Sequence, residues 1–170
     1  MIHLYCGDGK GKTTAAMGLA LRALGRDRRV VICQFLKSGD SGERLALERF
    51  ERAVILPVPE QLKFVFQMDE EEKAQTRQEM TDLFDRAAQL VRDGRCDLLV
   101  LDEVCAALTT GMLDLDRVTA LLDEAGETEI VLTGRDPAEG LRKRADYITE
   151  MAACRHPFAQ GKPARLGIEW

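Results

Sequence analysis

Apolar residues follow two rhythms along this chain, short unbroken runs and stripes at helical spacing, and the two alternate from one end to the other. Runs such as Val30-Val31-Ile32-Cys33 and Leu98-Leu99-Val100-Leu101 read as buried strands, and strands are predicted over residues 2–5, 29–36, 53–56, 98–101, 129–133 and 147–151. Between the first two, Ala16, Leu19, Ala20, Ala23 and Leu24 form one apolar face, predicting a helix over 12–24 that Gly25 stops. Met80, Leu83, Phe84, Ala87 and Val91 mark the inner stripe of a longer helix ended by Gly94. Asp69 opens that helix, and Glu70, Glu71 and Glu72 occupy its first turn, where the helix dipole favours acids. Shorter helices are expected over 43–50, 104–108, 116–125 and 137–144. Residues 57–68, which begin with Pro57 and Pro59 and hold Lys63-Phe64-Val65-Phe66, fit neither rhythm. Strands that alternate with helices predict an α/β fold, a mostly parallel sheet with helices on both faces.

Composition narrows the class. With 170 residues the chain suits one domain, 1–170, large enough for a substantial core. Hydrophobic residues at 45% and charged residues at 31% exclude a disordered chain. A formal charge of −5 argues against a uniformly basic nucleic-acid binder. The longest run of apolar residues and glycine, 15–21, falls far short of the roughly 20 residues of a membrane span. Met1-Ile2-His3-Leu4 lacks the basic-then-apolar pattern of a signal peptide. The five cysteines are odd in number and contain no Cys-x-x-Cys pair, which points to reduced thiols and a cytoplasmic protein.

The chemistry lies at the strand ends. Cys6-Gly7-Asp8-Gly9-Lys10-Gly11-Lys12-Thr13 falls between the first strand and the first helix, where a phosphate-binding loop belongs. Glycines let successive amides turn toward one anion, and the helix N-terminus adds its own N–H groups. Lys12 would bring a full charge to phosphate oxygens, and the Thr13 hydroxyl would ligate magnesium. Cys6 stands where the usual Gly-x-x-x-x-Gly-Lys-Thr pattern has its first glycine, so Gly7 and Gly9 are expected to carry the flexibility. The fold class is therefore read as P-loop NTPase-type, RecA-like.

Asp102-Glu103 closes the strand 98–101, at the edge that borders the ligand crevice of a parallel sheet. A carboxylate there can hold magnesium opposite Thr13, or serve only as a polar strand end or helix cap. Thr133-Gly134-Arg135-Asp136 follows another strand; Arg135 could reach phosphate or ribose, or Asp136 could simply cap the helix at Pro137. Lys37, in Gln34-Phe35-Leu36-Lys37, is a further candidate for phosphate, against the plain reading of a solvated loop lysine. The loop alone does not choose a reaction. A small-molecule kinase would need a carboxylate such as Asp8 or Asp40 to receive a proton, and a switch ATPase would need a partner-binding segment that the sequence does not display.

Taken together these segments resemble the P-loop class of ATP:corrinoid adenosyltransferases. The matching pieces run in family order: 7–16, Gln34-Phe35-Leu36-Lys37 with Gly42-Glu43-Arg44, Leu101-Asp102-Glu103, Thr133-Gly134-Arg135, Ala145-Asp146 with Thr149-Glu150-Met151, and His156-Pro157-Phe158 leading to Gly161 and Gly167-Ile168-Glu169. The resemblance implies transfer of the 5′-deoxyadenosyl group of ATP to cobalt(I) of a corrinoid, with triphosphate released, in adenosylcobalamin biosynthesis or salvage. It implies that Gly7, Asp8, Gly9, Lys10, Gly11, Lys12, Thr13, Thr14, Lys37 and Arg135 meet ATP, that Thr13, Asp102 and Glu103 hold Mg²⁺, and that Lys12, Thr13 and Glu103 act in catalysis. Phe64 and Phe66 look like the paired aromatics that face the corrin and displace its lower axial ligand; the other reading makes them core or dimer-contact residues. A cytoplasmic homodimer, supplied with electrons by a flavoprotein and contacting neither nucleic acid nor membrane, completes the implied picture. Many members carry an N-terminal extension that helps cover the substrates. This chain starts almost on its first strand, so part of that cover is expected to be missing or supplied differently.

Overall fold

Neighbouring side chains on the central strands face opposite layers, and this alternation builds two apolar cores on one sheet. The computed structural model describes residues 1–38, 41–59, 63–157 and 161–168. Its strands are β1 (Ile2–Cys6), β2 (Val30–Gln34), β3 (Ala53–Ile55), β4 (Leu98–Asp102), β5 (Glu129–Thr133) and β6 (Tyr147–Glu150). Its helices are α1 (Lys12–Leu24), α2 (Gly42–Leu47), α3 (Glu70–Arg92), α4 (Val104–Thr109), α5 (Leu115–Glu124) and α6 (Glu139–Arg142). Val30, Ile32, Leu98, Val100 and Val131 pack with Ala16, Met17, Ala20 and Leu24 of α1 and with Leu47 of α2. Val31, Cys33, Leu99, Leu101, Ile130 and Leu132 pack on the other face against Met80, Phe84 and Ala87 of α3 and against α4 and α5. Period-2 strands buried on both faces are what an all-parallel sheet requires.

The six strands lie in the order β3-β2-β4-β5-β1-β6, and every pairing is parallel. Two consequences position the site. β5 separates β1, which leads into the glycine loop, from β4, which ends in Asp102. β6, late in the chain, flanks β1 on its outer side with Cys6 opposite Glu150.

Local chemistry explains the boundaries. Asp69 accepts from the Glu72 amide at 2.9 Å while the Glu72 side chain accepts from the Asp69 amide at 3.1 Å, a reciprocal cap on α3. The interval 57–68 is not wholly irregular, since Val65–Gln67 make one tight 3₁₀ turn before Met68 buries its side chain. The last helix is shorter than the pattern suggested: it starts at Glu139 with Ala138 as its cap, and Asp136, at φ 47°, does not cap it. All five cysteines are free thiols. Among the described residues no helix is long and apolar enough to cross a membrane.

Candidate functional site

Three of the described non-glycine residues with left-handed backbone lie at or just past strand ends: Leu36 (φ 51°) shortly after β2, Glu103 (φ 60°) directly after β4 and Asp136 (φ 47°) shortly after β5. Such conformations cost about 1–3 kcal/mol each and persist where surrounding structure imposes them, commonly at ligand sites. They turn the chain sharply at one edge of the sheet, the edge where the glycine loop leaves β1.

The loop is held by its own lysine and by a strand far away in sequence. Lys12 Nζ donates to the carbonyls of Gly7 at 2.6 Å and Gly9 at 2.8 Å, so its ammonium sits within the loop. Gly7 (φ 97°) and Gly11 (φ 115°) make the left-handed turns. Cys6 is still part of β1 and 1% exposed, so the first turn falls one residue later than the usual motif has it. Gly9 differs from the expectation of flexibility. Its backbone is not left-handed; it is glycine because a Cβ there would lie 2.6 Å from the Met151 carbonyl oxygen and 2.8 Å from its carbon. The Gly9 amide donates to that same oxygen at 2.6 Å, which removes it from the amides open to an anion. Those that remain belong to the rest of the loop and the first turn of α1, whose N–H groups have no partner within the helix.

Asp102 is the hub of the site. It is fully buried, and its Oδ1 accepts from Thr13 Oγ1 at 2.9 Å and Thr133 Oγ1 at 2.7 Å. Oδ2 accepts from Gln34 Nε2 at 3.0 Å and Lys37 Nζ at 2.7 Å. Lys37 Nζ also donates to Thr13 Oγ1 at 2.9 Å, so one ammonium touches both the threonine and the carboxylate. Burial pushes the Asp102 carboxyl up, but the Lys37 charge and the hydrogen bonds from Lys37, Thr133 and Gln34 outweigh it and hold the group below its ordinary range. Behind this cluster, buried Arg44 donates to Gln34 Oε1 at 3.2 Å and to the Leu56 carbonyl at 2.9 Å, fixing the amide that faces Asp102.

Glu103 is arranged differently. Its amide donates to Thr133 Oγ1 at 2.8 Å and it occupies the position before α4 without a side-chain cap. Burial, then the neighbouring Asp102 charge, raises its carboxyl above the usual range, against the pull of Lys37, Lys12 and Arg135. The helix-cap alternative for this acidic pair therefore fails for both members. Arg135 is exposed and its Nε stands 3.7 Å from Asp8 Oδ1, beside the loop. Lys10 is exposed and donates to the Ile168 carbonyl at 3.0 Å, and Thr14 is exposed on the first turn of α1. Gly9 and Lys10 also border a cavity of about 720 Å³ whose other walls include Arg155, His156, Lys162 and Arg165.

The structure thus brings together Lys12, Thr13, Lys37 and Asp102, with Glu103 and Arg135 at the margin. Phe64 and Phe66 do not enter this hydrogen-bonded cluster. They are 70% and 81% exposed and stack on each other with centroids 5.5 Å apart at 15°, which removes the core reading. Val65 between them packs inward, and a Lys63–Glu72 ion pair ties the segment to α3. Asp40 lies outside the described residues, as do Phe158 and Glu169. Gln34, Thr133, Arg44 and Met151 stand within the matching segments, where the sequence alone assigns them no role of their own. A polar side chain closing an apolar run at each of two strand ends, Gln34 on β2 and Thr133 on β5, was the available signal.

A sequence model of the family described as ATP:corrinoid adenosyltransferase BtuR/CobO/CobP matches residues 1–170. The corrinoid adenosyltransferase of Pseudomonas aeruginosa is 35% identical over 172 residues, with 100% of this chain covering 83% of that protein. The Escherichia coli (strain K12) corrinoid adenosyltransferase is 29% identical over 177 residues, 100% of this chain covering 85% of it. A crystal structure of a DNA replication initiation factor overlays with a TM-score of 0.45 at 15% identity, and 88% of this chain spans 39% of that one.

Proposed function

The chain belongs to the ATP:corrinoid adenosyltransferase family, and on that footing we infer that it transfers the 5′-deoxyadenosyl group of ATP to the cobalt(I) of a corrinoid, in making or salvaging adenosylcobalamin. The cobalt(I) electron pair forms the bond to C5′ while the C5′–O5′ bond breaks and its pair leaves on triphosphate. The structural observation that supports this is the Thr13–Asp102 hydrogen bond beside the Lys12 loop, a site suited to phosphate oxygens and a cation. A nucleophile without a proton asks for no general base, and Asp8, one of the kinase candidates, is exposed against Arg135.

In this reading Lys12 leaves the Gly7 and Gly9 carbonyls for the phosphates and stabilises charge that grows on the leaving group. The amides of the first turn of α1 do the same from fixed positions. Gly9, Lys10 and the basic walls of the neighbouring cavity accommodate the rest of the nucleotide. Holding C5′ in line with cobalt is an orientation task, to which rigid strand ends are suited. Phe64 and Phe66 present an exposed apolar stack of the kind that could press against a corrin and exclude its lower ligand.

Magnesium fits the donor set. Thr13 and Asp102 offer hard oxygen ligands, and an ammonium already stands where the two oxygens meet. When bound there, magnesium would neutralise charge on the triphosphate. Glu103, half-buried beside Asp102, is the second acid in reach of such a cation. A cytoplasmic homodimer reduced by a flavoprotein rests on the family alone. Incubation with ATP, magnesium and chemically reduced cobalamin tests the proposal: the spectrum of an adenosylated corrinoid should form together with triphosphate. Formation of ADP without a cobalt–carbon bond would overturn it in favour of a kinase.

A further inference from the structure

We propose that Lys37 is a built-in placeholder for the divalent cation, a positioning residue that keeps Thr13 and Asp102 together while the site is empty and is displaced when the metal binds. The inference rests on the nucleotide-site reading above and adds to it a role for a lysine otherwise assigned to phosphate.

The geometry carries the argument. Lys37 Nζ lies 2.9 Å from Thr13 Oγ1 and 2.7 Å from Asp102 Oδ2, the two oxygens that a cation bound at this site would need. An ionised carboxylate with no exposed surface is strongly disfavoured unless a charge compensates it. Thr13, Thr133 and Gln34 supply hydrogen bonds but no charge, and the described ion pairs give Asp102 one cation, Lys37. Removing that ammonium without replacing its charge would therefore unbalance the hub. A divalent ion at the same oxygens more than replaces that charge, and two cations cannot share a position where each needs oxygen contact. Lys37 is also placed to move: its side chain is 28% exposed, it follows the turn at Leu36, and its four-carbon stem is flexible. Its displaced ammonium would reach the crevice where the phosphates lie.

Such a placeholder has a consequence that an ordinary structural ion pair lacks. It competes with the metal, so the protein without nucleotide should bind divalent ions poorly. Bound triphosphate tips the competition by offering the metal further oxygens and Lys37 a new partner.

The test uses Mn²⁺ alone as probe, without nucleotide, counted by the paramagnetic resonance of the free ion. Lys37→Met keeps the length and removes the charge. It should bind Mn²⁺ at least tenfold more tightly than the parent, and Mn²⁺ should raise its melting temperature more. Adding Asp102→Asn to Lys37→Met should abolish the gain, which ties the ion to this carboxylate. A folded Lys37→Met protein with equal or weaker Mn²⁺ affinity overturns the proposal, as does a gain that survives Asp102→Asn. Should Lys37→Met fail to fold, reductive methylation of the parent decides: saturating Mn²⁺ should increase labelling of Lys37 while exposed Lys143 stays constant, and unchanged Lys37 labelling overturns it. Adenosyl transfer by the parent is assayed separately, so the functional reading can stand while this inference falls.

Discussion

Thr13 Oγ1 donates a hydrogen bond to Asp102 Oδ1 at 2.9 Å across 89 positions of sequence, joining the start of α1 to the end of β4. Of the two adjacent acids, Asp102 is thus the one in direct contact with the threonine. Asp102→Asn is expected to raise the magnesium concentration needed for half-maximal transfer by tenfold or more, and to lower the melting temperature because Lys37 loses its partner. Glu103→Gln should shift the magnesium requirement less. A magnesium titration of both variants checks the order; a larger shift in Glu103→Gln would reverse the assignment.

Lys12→Ala should reduce transfer by about 10²–10³, the usual effect of losing one charge-stabilising group. Circular dichroism should stay that of the parent, because Lys12 supports the loop and not the core. Wild-type turnover at saturating magnesium-ATP would remove the loop lysine from the mechanism.

Two glycines should respond in opposite directions. Gly9→Ala forces a methyl against the Met151 backbone and should destabilise the protein by about 1–3 kcal/mol while weakening ATP binding. Gly18 lies in mid-α1, and an alanine methyl there would meet nothing within 4 Å, so Gly18→Ala should gain roughly 0.5–1 kcal/mol. Melting temperatures of the two variants suffice, and equal shifts would show that the Met151 contact is soft.

Phe66→Ala should leave stability within about 0.5 kcal/mol of the parent, as for other exposed positions. If the ring faces the corrin, transfer should fall strongly when the reaction starts from cobalt(II) and a mild reductant. It should fall much less from cobalt(I) made beforehand. A melting temperature lowered by several degrees would return the ring to a packing role, and equal activity from both cobalt states would sink the corrin-facing assignment.

Acid should loosen the start of the sheet. Asp97 accepts from the Arg29 guanidinium at 2.5 Å and from the Arg29 amide at 2.7 Å, and these bonds, the side-chain one first, bring its carboxyl from an ordinary 3.8 down to about 2. A carboxyl lowered in the folded state stabilises it above the unfolded value and loses that contribution as pH falls through the folded one. The parent's advantage in melting temperature over Asp97→Asn should therefore shrink between about pH 4 and pH 2. A constant difference across that window would mean that the pair contributes no pH-linked stability.

The elements themselves were readable because local signals agreed. The helix over 12–24 ends where Gly25 removes the side chain, the strand over 129–133 carries its own apolar run, and the reciprocal Asp69–Glu72 cap sits where the acidic first turn implied. The hub was half readable. Thr13 and Asp102 follow from motif and strand end, but Gln34 and Thr133 join them only because β2 and β5 flank β4, an order that periodicity does not encode. Lys37 was readable as a candidate for phosphate or a solvated lysine but not as the partner of Asp102, because no local pattern reports that the chain turns back at Leu36. Between the corrin-facing and core readings of Phe64 and Phe66 the sequence offered no choice: phenylalanine is usually buried, and the 3₁₀ turn that sends Val65 inward instead has too short a pattern to read.

The contact between Gly9 and Met151 also sets an order of events during synthesis. Residues 7–11 are synthesised well before residues 147–151, yet the loop they form acquires its Met151 partner only after the later segment has emerged. Contacts so distant in sequence form late, because most of the chain must be ordered before they close. A nascent chain that ends before Tyr147 holds Lys12 and Thr13 but lacks the Met151 carbonyl that the Gly9 amide bonds, so the loop waits for β6 before it has the support of the finished fold.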